Sequence, residues 1–264
     1  MKEKDMQVRS FIGNADRSWA DEGFHVHPSL EITILLEGSG AVEWLQGRSD
    51  LETGHIIIVP PDLPHRFEGM GRNRFGLIQL EHCPPAVVEL LNRFRINGEP
   101  RIFRLSRLDK ERFEALFREW LRLFSTPLKE TACAYRAWIE VLLLFLLEHS
   151  QTGQQPISIA KAADFIRENL DKGLQISDLA QLAGMAESGF RRLFEQVYHM
   201  SPKRYQQQCR MAEAKWLLNS SDKELNEIAR QIGFERLHSF SQWFRKLEGM
   251  SPSQWRKTQQ INFG

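Results

Sequence analysis

Three histidines and a carboxylate stand where they could share one site. The segment HVHPSLEITILLEG carries His25, His27 and Glu31, and a later segment, GHIIIVPPDLPH, ends on His65. Residues two apart on a β-strand point the same way, so His25 and His27 share a face. His65, on a later strand, can close the group. Imidazoles with a carboxylate form a donor set for a divalent metal. The same residues also suit the polar end of a pocket for a small organic effector, with Trp44 and Phe67 as stacking walls. A third reading is a purely structural use. The residues alone leave all three open.

A second set lies near the C-terminus, on a unit that occurs twice. LAQLAGMAESGFRRLFEQVYHMSP ends at Pro202, and IARQIGFERLHSFSQWFRKLEGMSP ends at Pro252. With one extra residue, Glu235, in the second copy, Gly184 falls on Gly233, Phe190 on Phe240 and Phe194 on Phe244. Each copy reads as a short helix, a turn at a glycine free to take positive φ, and a longer helix. Phe190, Leu193, Phe194 and Val197 make the inward face of the first long helix. Phe240, Trp243, Phe244 and Leu247 make that of the second. The opposite faces are polar: Glu187, Ser188, Arg191, Arg192 and Glu195, then Leu237 at the helix start with His238, Ser241, Gln242 and Arg245. Such a face can enter a major groove and reach base edges. A helix over 202–218, spanning roughly 25 Å at 1.5 Å per residue, joins the copies. The two polar faces could then lie about 34 Å apart, one turn of B-DNA.

These groups need elements to hold them. Up to about Leu80, short apolar runs (31–36, 41–45, 55–59, 75–80) are punctuated by glycine and proline, which predicts a small β-barrel or sandwich. From Asp109 to His149 the period becomes helical, with Phe113, Leu116, Phe117, Trp120, Leu121 and Phe124 on one face. A second helix over 132–148 is apolar around most of its circumference and needs partners on more than one side, either the barrel or a second copy of the chain. SQTGQQ, before Pro156, reads as a linker.

Composition sets limits. The 264 residues suffice for two domains, and net charge is only +1. Residues 1–154 carry 19 basic against 22 acidic residues, and 155–264 carry 16 against 12, so the basic excess is C-terminal. The three cysteines form no CxxC pair, which suits a reduced compartment. The N-terminus has no apolar leader, and the longest apolar run, 141–147, is too short for a bilayer that needs about 20 residues. A cytoplasmic protein without a membrane span is expected. No phosphate-binding glycine loop or further acid–base constellation points to an enzyme.

At the repeat the sequence resembles the AraC/XylS family of bacterial transcription regulators. The residues that carry this are Ile228-Ala229, Gly233-Phe234, Phe240, Phe244-Arg245-Lys246, Gly249 and Ser251-Pro252, with Leu179-Ala180, Gly184, Phe190, Arg192-Leu193-Phe194, Ser201-Pro202 and Arg210 in the first copy. The spacing of His25, His27, Glu31 and Gly38 is similar to that of a cupin. The resemblance implies an α+β chain of two domains. Residues 1–150 would be a cupin-like effector-binding and dimerisation domain, 151–156 a linker, and 157–264 an all-α unit with two helix-turn-helix motifs. It implies binding of double-stranded DNA, usually to activate transcription with RNA polymerase, by a homodimer that answers an effector such as a sugar. The alternatives are a metal-dependent cupin enzyme fused to a DNA-binding unit, and a DNA-binding protein whose barrel only dimerises. Two departures stand out: Ala186 and Glu187 replace the helix cap usual in the family, and Gln242 replaces an Arg. Arg210 is expected in a structural ion pair beneath the connecting helix.

Overall fold

A computed structural model describes residues 5–150 and 157–261. The expected linker, 151–156, lies outside the described residues. The chain divides into two compact units, 1–155 and 156–264.

The first unit is built on strands β1 (Gln7–Ala15), β2 (Trp19–Ala20), β3 (Leu30–Trp44), β4 (Gly47–Glu52), β5 (His55–Val59), β6 (His65–Glu81) and β7 (Arg101–Arg104). They form an antiparallel sheet in the order β1-β6-β3-β5-β7, with β2 on β6 and β4 on β3. The runs expected as separate strands over 31–36 and 41–45 are one strand. Gly38 does not end it: at φ +99° it sits where the pairing of β3 with β6 shifts register. A bulge lets the strand bend and continue.

Alternation along β3 and β5 assigns the two faces of the sheet. Ile32, Ile34, Leu36, Ile56 and Ile58 join the core under the helices. Leu35, Ile57 and Val59 point the other way, with Val42 and Leu51. Helices α1 (Pro85–Asn92), α2 (Arg107–Phe124) and α3 (Thr131–His149) pack on the first of these faces, and Ile78, Leu80, Phe94, Phe103 and Leu105 complete the core with them. Gly76 makes room for α2, since a Cβ there would stand 2.7 Å from the Phe117 ring. Trp120, fully buried on α2, donates its indole N–H to Ser10 Oγ at 2.9 Å, and that hydroxyl donates to the Leu77 carbonyl.

The second unit is helical: α4 (Ile157–Glu168), α5 (Ile176–Leu182), α6 (Glu187–Tyr198), α7 (Pro202–Ser220), α8 (Leu225–Gln231), α9 (Leu237–Glu248) and α10 (Pro252–Ile261). The repeat is physical as well as textual. Gly184 and Gly233 take φ +67° and +86° at the two turns. Ser201 and Ser251 accept the backbone N–H three residues on, from Arg204 and Gln254, which starts the helix that follows each copy. Leu247, expected to face inward, is 54% exposed. Phe244 already fills the inward position of the last turns of α9 by meeting Trp255 of α10, and Glu248 pairs with Lys215. Among the described residues no helix is long and apolar enough to cross a membrane.

Candidate effector pocket and nucleic-acid interface

The face of the sheet away from the helices lines a cavity of about 340 Å³. Strand parity decides much of its lining: Glu31, Thr33 and Leu35 come from β3, Phe75, Leu77 and Gln79 from β6, and Arg9 and Phe11 from β1, while Gly40 and the consecutive Phe67, Glu68 and Gly69 border it near the bulged part of the sheet. His25 and His27 lie before β3, and His25 pairs with His65 through backbone hydrogen bonds in both directions.

The histidine cluster is close-knit. One ring nitrogen from each of His25, His27 and His65 lies within 4.8 Å of the others. His65 is fully buried, with Nδ1 2.8 Å from the Leu63 carbonyl, so Nδ1 is the donor. That leaves Nε2 with a lone pair, and it has no hydrogen-bond partner. Burial pushes this imidazole below its ordinary pKa, which favours the neutral form.

His27 is held differently. Its Nε2 lies 3.2 Å from Glu31 Oε2, and its Nδ1 2.9 Å from the Ser29 carbonyl. The hydrogen bond to Glu31 raises its pKa against the opposing effect of burial. Burial alone would raise the Glu31 carboxyl. Hydrogen bonds from His27, Gln79 and Thr33 outweigh it and hold the group below its ordinary value. Both shifts favour pairing of an imidazolium with a carboxylate. For a metal, His25, His27 and His65 can each offer a ring nitrogen, His27 in competition with its pairing to Glu31.

The aromatic walls differ from the expected ones. Phe67 lines the cavity, and Trp44 does not. Trp44 packs instead with Leu35, Val42 and Leu51, its ring lying over Gly47 so that a Cβ there would stand 2.7 Å from it. The wall is completed by Trp19, Phe11 and Phe75, none of which was singled out from the sequence. Trp19 sits on a two-residue strand beside β6, with its ring 5.8 Å from that of Phe75. A strand of that length leaves no alternation to read.

In the helical unit Phe190, Phe194, Phe240 and Phe244 are fully buried, and the opposite faces of α6 and α9 are open. Glu187, Ser188, Arg191 and Arg192 are exposed on α6. Leu237, His238, Gln242 and Arg245 are exposed on α9, and Ser241 is half-buried. Arg191 reaches back to Glu187 at 3.4 Å and also borders a groove beside α7. Arg192 and Gln242 each stand two residues after a buried phenylalanine, so they project away from the core. Neither α6 nor α9 has a side-chain cap: Ala186 and Arg236 hold the cap positions.

Residues 10–147 match the AraC-like ligand binding domain family, and residues 179–258 match a helix-turn-helix domain family. The chain belongs to the AraC family of transcription regulators. AraC-family relatives include the melibiose operon regulatory protein of Escherichia coli K12, 26% identical, covering 89% of this chain and 84% of that protein. The arabinose operon regulatory protein of the same organism is 25% identical, covering 85% and 79%. An uncharacterized HTH-type transcriptional regulator of Bacillus subtilis, YobQ, is 25% identical over 89% of this chain and 88% of its own length. Among solved structures, the DNA-binding domain of AdpA in complex with a target DNA is 26% identical, covers 41% of this chain and 96% of that chain, and has a TM-score of 0.38. As an AraC-family chain, this protein is a transcription regulator with a ligand-binding unit and a DNA-binding unit.

Proposed function

We propose that the chain regulates transcription by reading two successive major grooves with α6 and α9, under control of a small effector held in the cavity of the first unit. The carrying observation is the pair of polar helix faces, each opposite two fully buried phenylalanines and each following a glycine turn. Arg192 can bond guanine O6 and N7 together, and Gln242 adenine N6 and N7. Glu187, Ser188, Arg191, Leu237, His238, Ser241 and Arg245 complete the two surfaces. The effector is a sugar, as the names of the melibiose and arabinose operon relatives suggest, packed against Trp19 and Phe67 with its hydroxyls toward Glu31 and Gln79. The regulator acts in the cytoplasm as a homodimer, activates through RNA polymerase and catalyses no reaction. Selection of binding sites from random duplexes tests the reading. Arg192→Ala should cost about 1–3 kcal/mol and relax one base pair, and Gln242→Ala should relax another, roughly 10 base pairs away. Unchanged base preferences in both variants would overturn it.

One observation favours a divalent metal beside the pocket: the buried, unpartnered Nε2 of His65, which does not itself line the cavity but lies near His25 and His27, which do. Stoichiometric metal in the purified protein, lost in His27→Ala, would establish that reading over the organic one.

A further inference from the structure

The second unit has two hydrophobic cores that share no residue. Ile159, Ile166, Leu170, Leu179, Phe190 and Phe194 belong to the first, and Ile228, Phe240 and Phe244 to the second. Helix α7 contributes to both. Tyr205 and Cys209 pack on the first core, and Met211, Ala214, Leu217 and Leu218 lie in the second. The crossing falls between Cys209 and Met211, at Arg210.

Arg210 departs from the expected ion pair. Among the described residues no carboxylate lies within ion-pair distance of it, although Asp171 acts on it electrostatically, and its hydrogen bonds go to backbone. Nε and Nη2 both donate to the Leu170 carbonyl, at 3.1 and 2.9 Å, and Nη2 reaches the Lys172 carbonyl at 3.5 Å. Both carbonyls belong to the loop between α4 and α5, in the first half. On its other side the guanidinium lies 5.7 Å from the centre of the Phe234 ring, in the second half. Gly233 closes the junction. A Cβ there would strike the Leu170 carbonyl oxygen and stand 2.6 Å from Arg210 Nη2. Gly184, its counterpart in the first copy, has open space at the same point. The two turn glycines thus differ in use: both allow positive φ, and only Gly233 admits a contact between the halves.

We infer that Arg210 is a positioning residue that fixes the separation and angle of the two recognition helices, and so sets the spacing between the two DNA half-motifs one chain can read. A guanidinium offers a planar fork fixed against one carbonyl, and it ties the loop between α4 and α5 directly to the second half, beyond the link both halves make through α7. This rests on α6 and α9 both reading DNA.

The test is binding-site selection with the full-length chain, compared between wild type, Arg210→Ala and Arg210→Lys. Wild type should select two half-motifs at one spacing. Arg210→Ala should keep both half-motifs, spread the spacing over at least one base pair either way, and lose about tenfold in affinity for the wild-type spacing. Arg210→Lys, which keeps the charge without the fork, should fall between. If Arg210→Ala does not fold, Phe234→Leu, which removes the ring beside the guanidinium while keeping an apolar side chain against Phe240 and Trp243, should broaden the spacing. Weaker binding at an unchanged spacing would make Arg210 merely structural and overturn the inference, as would altered half-motifs. Failure of the wild type to select two half-motifs would instead overturn the reading of α6 and α9.

Discussion

His27 and Glu31 show how much one ion pair can depend on its surroundings. Glu31 is 3% exposed, and its oxygens accept from Thr33, Gln79 and His27. A carboxyl held below its ordinary 4.5 contributes stability that is present above that value and lost as pH falls through the lower folded one. An imidazole held above 6.5 contributes stability that is complete below that value and lost as pH rises through the higher folded one. Both contributions are therefore complete only between pH 4.5 and 6.5. Thermal denaturation of the metal-free protein should show Glu31→Gln most destabilised, relative to wild type, inside that window. The gap should narrow on either side, and a gap independent of pH would remove the ion pair from the account. The histidine cluster was legible from the short separation of His25 and His27 in the chain, although the strand parity expected of them does not hold: both lie before β3, His25 on an isolated bridge to His65 and His27 outside any strand. The aromatic wall was not. Trp44 shares a strand with Glu31, but β3 carries it past the bulge to the turn at Gly47, while Trp19 reaches the cavity from a segment too short to show a pattern.

At the scale of elements, α6 is the most easily improved. Ala186 holds its cap position at φ −68° and ψ 148°, the geometry a capping side chain needs, and offers no acceptor to the free N–H groups of the first turn. Ala186→Ser should stabilise the protein by about 1 kcal/mol. A urea titration of full-length protein measures this, and an unchanged midpoint would mean that those N–H groups are already satisfied. The helices of the second unit were legible because glycine, phenylalanine and Ser-Pro recur at offsets that match apart from the extra Glu235, and are tied to a turn, a core position and a cap. The edges of the first unit were less so. Strand β1 is half-buried over much of its length, β7 has four residues, and α1 has eight, so each offers only a weak or short pattern. Glycine also misleads where it bends a strand without ending it, as Gly38 does.

At the scale of the molecule, both recognition helices and the helix joining them fall in the second unit, 156–264. A fragment of those residues should fold and bind the selected duplex more weakly than the full chain, because it would lose the avidity of the proposed dimer. Its affinity should fall steeply with added salt, since phosphate contacts release counterions. Titration of the fragment against the selected and a scrambled duplex measures both effects. Equal binding to the two duplexes would show that sequence reading needs the first unit.

Strand β3 has a consequence for how such a regulator can change its diet of signals. Its odd-numbered residues from Glu31 to Leu35 face the cavity, and the even-numbered ones between Leu30 and Leu36 hold the helices. Inserting or deleting one residue there would exchange the two sets, placing isoleucines in the pocket and a carboxylate in the core. A lineage acquiring a new inducer must therefore do so by exchanging side chains at fixed length. The bulge at Glu37 to Ser39 is where a change in length could be absorbed, because the pairing already slips there.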